Sequence, residues 1–107
     1  MTDQIVVFNT CGSKEEADSI ANTLIEKRLA ACVSVLAGVE SVYRWQGVVE
    51  RSQEFLLIIK SNRETFARLR AELMKAHSYQ VPEVIALPIV DGSESYLAWI
   101  DRELDVL

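Results

Sequence analysis

At 107 residues the chain has room for a single domain, 1–107, and an apolar fraction of 50% is too high for a disordered chain. Its 11 basic and 16 acidic side chains leave a net charge of −5, and only Lys27 and Arg28 are adjacent among the basic residues. No basic stripe follows a phosphate backbone, which argues against a nucleic-acid partner, whereas the acidic balance tolerates cationic ligands.

Ile5 to Phe8 is a short continuous apolar run and reads as a strand buried on both faces. Cys11-Gly12 breaks it, and Ser13-x-x-Glu16 has the form of a capping box at a helix start. Ala17, Ile20, Ala21, Leu24, Ile25 and Leu29 then recur at helical spacing. Ala31 to Leu36 is strand-like, Gly38 marks a bend or bulge, and Val39 to Trp45 continues extended to a tight turn at Gln46-Gly47. The chain returns from Val48, with Glu54 to Lys60 as a strong strand.

Ser61-x-x-Glu64 repeats the capping signature ahead of a second helix, on which Phe66, Leu69, Leu73 and Met74 share one face. Val81 to Val90 reads as the last strand. Because proline cannot donate to a ladder, Pro82 and Pro88 place it at a sheet edge, or at its own start and end. Asp91-Gly92-Ser93 turns into a terminal helix spaced by Tyr96, Ile100, Leu104 and Leu107. The order βαββαβ with a C-terminal helix is that of an α+β, ferredoxin-like split βαβ domain, with both crossover helices on one face of an antiparallel sheet.

No apolar run approaches the ~20 residues of a membrane span. Met1-Thr2-Asp3-Gln4 lacks the basic and apolar regions of a signal peptide, which points to the cytoplasm. There the two cysteines, Cys11 and Cys32, stay reduced.

Residues 39 to 49 do not suit a monomer. A two-stranded ribbon turning at Gln46-Gly47 outruns a compact sheet, yet carries Val39, Val42, Tyr43, Trp45, Val48 and Val49. Such apolar surface marks an interface unless the ribbon bends back over its own core.

Several blocks occur together: Glu26-Lys27-Arg28-Leu29-Ala30-Ala31-Cys32-Val33, Val42-Tyr43-Arg44-Trp45-Gln46-Gly47, Leu57-Ile58-Ile59-Lys60, His77-Ser78-Tyr79-Gln80-Val81-Pro82-Glu83, and Tyr96-Leu97-x-Trp99-Ile100. In order and spacing they resemble the CutA divalent-cation tolerance proteins, over nearly the whole chain. The resemblance implies a ferredoxin-like subunit in a homotrimer that helps the cell tolerate excess divalent cations, with copper foremost. It also implies that Arg44, Glu54, Lys60, Tyr79 and Glu83 gather near intersubunit clefts. Tyr43, Trp45, Pro82 and Trp99 fall in the same class of cleft or interface positions. Two departures stand out: Ser78 replaces a common proline, and Thr10-Cys11-Gly12 replaces Thr-Ala-Pro.

For chemistry, His77 is the only histidine. Neutral imidazole suits copper, zinc and nickel, and thiolate suits cuprous copper, so His77 and Cys11 offer two ligands of a soft metal site. The competing reading is a surface histidine at the C-terminus of the second helix. Cys11, just before a helix, is expected to have a lowered thiol pKa, and Cys32 to be an inert core thiol. No Gly-rich phosphate loop and no nucleophile–base spacing occurs, and an acylphosphatase-like loop would need an arginine that Asn9 to Ser13 lacks. Two functions follow: a non-enzymatic metal-binding trimer with no required cofactor, or a trimeric module that senses a small molecule in its clefts.

Overall fold

A computed structural model describes residues 2–104. The elements are β1 (Gln4–Cys11), α1 (Lys14–Glu26), β2 (Cys32–Trp45), β3 (Val48–Asn62), α2 (Arg63–Ala76), β4 (Ile85–Pro88) and α3 (Glu94–Glu103). The strands form one sheet in the order β2-β3-β1-β4, antiparallel at each pairing. Insertion of β3 between β1 and β2 produces the split βαβ topology expected from the element order.

The period of two along β1 separates two kinds of surface. Ile5, Val7, Asn9 and Cys11 are buried and lie in register with Ser61, Ile59, Leu57 and Phe55 of β3. This face packs on Ala17, Ile20 and Leu24 of α1 and on Leu69 and Leu73 of α2. Val6 and Phe8 alternate with it and are only half-buried, so the strand is not enclosed on both faces within one chain. At the start of the strand α3 is tied down by polar contacts: Gln4 Nε2 donates to Asp101 Oδ2 at 2.8 Å, and Asn62 Nδ2 donates to Asp101 Oδ1 at 3.1 Å.

Several local expectations change in the folded chain. The second helix is capped by Asn62, whose Oδ1 accepts from Thr65 N–H at 2.9 Å. Ser61 points into the core instead, where its hydroxyl donates to the Leu29 carbonyl at 2.9 Å. Strand β4 holds only Ile85–Pro88, because Pro82 lies in the loop before it and Pro88 ends it. It does lie at a sheet edge, where a missing N–H costs nothing. Of the terminal spacing, Ile100 and Leu104 are buried, and Leu107 lies outside the described residues.

Between Leu36 and Val39 the register of β2 on β3 shifts, with Gly38 at φ 79°, giving the expected bulge. Beyond it the ribbon runs to a turn at Gln46 (φ 50°) and Gly47 (φ 84°), the paired positive φ that matches strand twist in tight hairpins. The ribbon does not fold back: Val42, Tyr43, Trp45, Val48 and Val49 are 39–59% exposed. It stretches the molecule to 44 Å against 26 and 22 Å on the other axes.

Candidate functional site

The end of β1 carries the chemistry. The alternation that turns Ile5 and Val7 inward also turns Cys11 inward, where it is fully buried. Ser13 then caps α1, its Oγ accepting from Glu16 N–H at 3.2 Å. Glu16 does not complete a reciprocal capping box; its Oε2 accepts from Ser78 N–H at 3.2 Å. On the other side α2 ends at His77, whose backbone N–H closes the helix on the Leu73 carbonyl at 3.0 Å. Its side chain is fully buried, so it is not a surface histidine.

Both imidazole nitrogens are engaged. Nδ1 accepts from Tyr79 N–H at 3.1 Å, which puts the ring proton on Nε2, and Nε2 donates to the Thr10 carbonyl at 2.7 Å. Cys11 Sγ lies 3.7 Å from Nε2 and donates to Asn9 Oδ1 at 3.5 Å. Asn9 is held in turn by donating from Nδ2 to the Glu83 carbonyl at 2.8 Å. Glu16 Oε1 stands 3.7 Å from His77 Nδ1, buried and without a hydrogen-bond partner. Donor atoms of Cys11, Glu16 and His77 all lie within 4.8 Å of one another.

Burial pushes the Cys11 thiol from 9.0 up to about 12, with the negative charges of Glu16 and Glu54 adding to the shift. This reverses the expectation of a lowered value. The thiol belongs to a core-facing strand position, and the first-turn amide that would favour a thiolate is taken by Ser13. Cys32 is also not an inert core thiol: it is half-buried at the start of β2, with Sγ 4.0 Å from Ser34 Oγ.

Tyr79 joins this cluster to a second one. Its ring lies 4.7 Å from the His77 ring, and its hydroxyl donates to Glu54 Oε2 at 2.8 Å. Desolvation and then the Glu54 contact push its phenol well above the ordinary range. Gly12 makes room for the ring, since a Cβ there would stand 3.0 Å from the Tyr79 hydroxyl. Beyond Tyr79 opens a cleft of about 340 Å³, walled by Thr10 and Ser41, by Tyr43, Trp45 and Tyr79, and by Glu54, Gln80, Val81 and Glu83.

The fold therefore brings Cys11 to His77, and Tyr43, Trp45, Glu54, Tyr79 and Glu83 to one cleft. It does not bring the remaining sequence candidates there. Arg44 Nη1 donates to the Gly47 carbonyl at 3.3 Å in the ribbon turn, and Lys60 lies opposite Val6 and Cys32 in register. Pro82 is half-buried beside the cleft without lining it, and Trp99 stacks on Tyr96 at 5.6 Å on α3. Glu16 and Asn9 escaped the sequence reading, the first because its spacing from Ser13 fitted a cap. No signal in the sequence pairs either residue with His77.

The whole molecule has close relatives. Residues 5–103 match the family described as CutA1 divalent ion tolerance protein. The divalent-cation tolerance protein CutA of Thermus thermophilus is 46% identical over 95 residues, covering 89% of this chain and 92% of that protein. The chloroplastic CutA of Arabidopsis thaliana is 45% identical over 96 residues, 90% of this chain but 53% of its own length. Among solved structures, Thermus thermophilus Cut A1 superposes with a TM-score of 0.93 at 43% identity, covering 95% of this chain and 99% of that one. Xylella fastidiosa CutA reaches 0.95 at 40% identity over 97% of this chain and 100% of that one. The Archaeoglobus fulgidus protein, described as periplasmic, gives 0.92 at 39% over 95% and 99%. With the family match spanning every element from β1 to α3, the chain belongs to the CutA1 divalent ion tolerance protein family.

Proposed function

We propose that this chain is a non-enzymatic, homotrimeric metal-ion response protein that binds copper through Cys11 and His77. The observation that carries the metal reading is the buried, unpartnered Glu16 Oε1 beside a thiol and an imidazole. A cation relieves an orphaned buried carboxylate oxygen, and thiolate with imidazole suits copper above harder ions. Loading requires the Cys11 proton to leave and the His77 ring to give up a hydrogen bond to Thr10 or Tyr79. Family membership supports divalent-cation tolerance as the physiological setting.

Support for a non-enzymatic role comes from the same bonds. Nε2 already carries a proton directed at Thr10, so it cannot take one from Cys11, and the thiol is buried with a raised pKa. The exposed ribbon around Trp45 supports the trimer, and two free thiols suit the reducing cytoplasm. Calorimetric titration with Cu(II) and Cu(I) tests the site. Saturable binding that disappears in the Cys11→Ser, His77→Ala double variant is expected; unchanged binding in that variant overturns it.

A second reading has its own observation. The cleft of about 340 Å³ beside Tyr79 falls within the ~300–1,000 Å³ range of small-molecule sites. It favours a trimeric module that senses a small molecule.

A further inference from the structure

We propose that Glu16 is the third ligand of the metal site, that the backbone N–H of Ser78 positions it, and that the set takes a divalent ion, Zn(II) or Cu(II), in preference to Cu(I). The inference rests on the metal reading and names the class of ion. It stands on how the Glu16 carboxylate is placed. Oε2 accepts from Ser78 N–H at 3.2 Å, and Oε1 stands 3.7 Å from His77 Nδ1. Nδ1 already accepts from Tyr79 N–H, so no proton lies between these two atoms. Two acceptors thus face each other beside a fully buried imidazole, and Oε1 is itself buried and unpartnered. A carboxylate drawn only to the positive first turn of α1 would keep its oxygens on free amides or in water. Acceptors that converge on one buried point are an arrangement a cation resolves.

Charge balance decides the ion. In the loaded site Cys11 as thiolate and Glu16 as carboxylate bring two negative charges, and neutral His77 brings none. A divalent ion cancels both, whereas Cu(I) leaves one uncompensated charge among buried groups. Donor chemistry agrees, because a carboxylate beside thiolate and imidazole moves a site away from the soft set that favours Cu(I). Ser78 is the positioning residue. It stands where a proline is common in the proteins this chain resembles, and proline has no N–H to hold a carboxylate. Neither Ser78 nor any of the three donors lines the cleft beside Tyr79 or belongs to the ribbon, so the donors all come from one chain.

The test uses the full chain under reductant, with Zn(II) followed by calorimetry, Co(II) by absorption, and Cu(I) by competition with a chromogenic chelator. The unaltered chain should bind Zn(II), and Co(II) should give a thiolate-to-metal charge-transfer band that Cys11→Ser removes. Glu16→Gln should weaken Zn(II) binding roughly tenfold or more and change Cu(I) binding by less than about threefold. Ser78→Pro should also weaken Zn(II) about tenfold, while Ser78→Ala, which keeps the N–H, should bind as the unaltered chain does. His77, at φ −82° and ψ 140°, already has the extended backbone that a following proline requires, so Ser78→Pro suits the fold. Zn(II) binding unchanged in Glu16→Gln but lost in Cys11→Ser overturns the inference and leaves the metal reading intact. Equal weakening of Zn(II) and Cu(I) in Glu16→Gln overturns the ion preference. Equal losses in Ser78→Ala and Ser78→Pro overturn the role of the N–H. No binding of Zn(II), Co(II) or Cu(I) by the unaltered chain overturns the inference and the metal reading together.

Discussion

Tyr79 donates its backbone N–H to Nδ1 of His77 at 3.1 Å, and this bond decides where the only imidazole proton resides. With Nδ1 an acceptor, Nε2 must be the donor, and it meets the Thr10 carbonyl at 2.7 Å. The same tyrosine reaches Glu54 with its hydroxyl. One residue thus spans the buried thiol–imidazole cluster and the open cleft.

Removing His77 should be expensive for the fold. His77→Ala leaves the Thr10 carbonyl and the Tyr79 N–H without their partners in a buried setting and opens a void. A loss of about 2–4 kcal/mol is expected in urea unfolding, and a loss under about 0.5 kcal/mol would contradict the hydrogen-bond arrangement.

The two cysteines should separate in reactivity. In the folded protein iodoacetamide modifies Cys32 first, and Cys11 reacts only after denaturant exposes it, as peptide mass mapping would show. The raised Cys11 value also makes stability depend on pH. Below pH 9.0 the thiol is protonated in both folded and unfolded chains, and its contribution is complete. Above that the unfolded thiol ionises while the folded one does not, so stability falls as pH rises toward about 12. Cys11→Ala should flatten this alkaline decline in thermal melts, and an equal slope in both proteins would refute the assignment.

At the start of α2 the cap is Asn62 rather than Ser61. Asn62→Ala should cost about 1–2 kcal/mol, since it removes the bond to Thr65 N–H and the contact with Asp101. Hydrogen exchange at the Thr65 amide should accelerate in Asn62→Ala and stay protected in Ser61→Ala.

On the ribbon, Trp45→Ala should lower the assembly mass below that of the proposed homotrimer in native mass spectrometry. Retention of the full mass would show that the exposed ribbon is not the interface. Gly47→Ala probes the turn instead: φ 84° is strained for any side chain, and a loss of about 1 kcal/mol is expected in the unfolding midpoint.

Much of the fold was legible in the chain because neighbouring residues encode it. Period-two and helical spacing placed six of the elements near their bounds, and Gln46-Gly47 marked its own turn. The failures are equally local. Ser61 and Asn62 are both competent caps, and only the core demand at Ser61, which binds the Leu29 carbonyl, decides between them. Val81 to Ile85 has strand composition, but β1 reaches β4 only from Phe8, which pairs with Ile85.

By itself the sequence determined an α+β domain with an apolar ribbon that outruns a compact sheet, and it singled out Cys11 and His77 as the residues with metal chemistry. Only the tertiary structure decided their states. Alternation along β1 aims Cys11 into a low-dielectric core, so its thiol is held neutral instead of activated. The third member, Glu16, comes from a helix turn that local spacing assigned to capping; it meets His77, 61 residues away in the chain, because β1 sets α1 beside the end of α2. Spacing along the chain carries helix and strand, but a charge or proton at a site depends on which distant groups the fold leaves next to it.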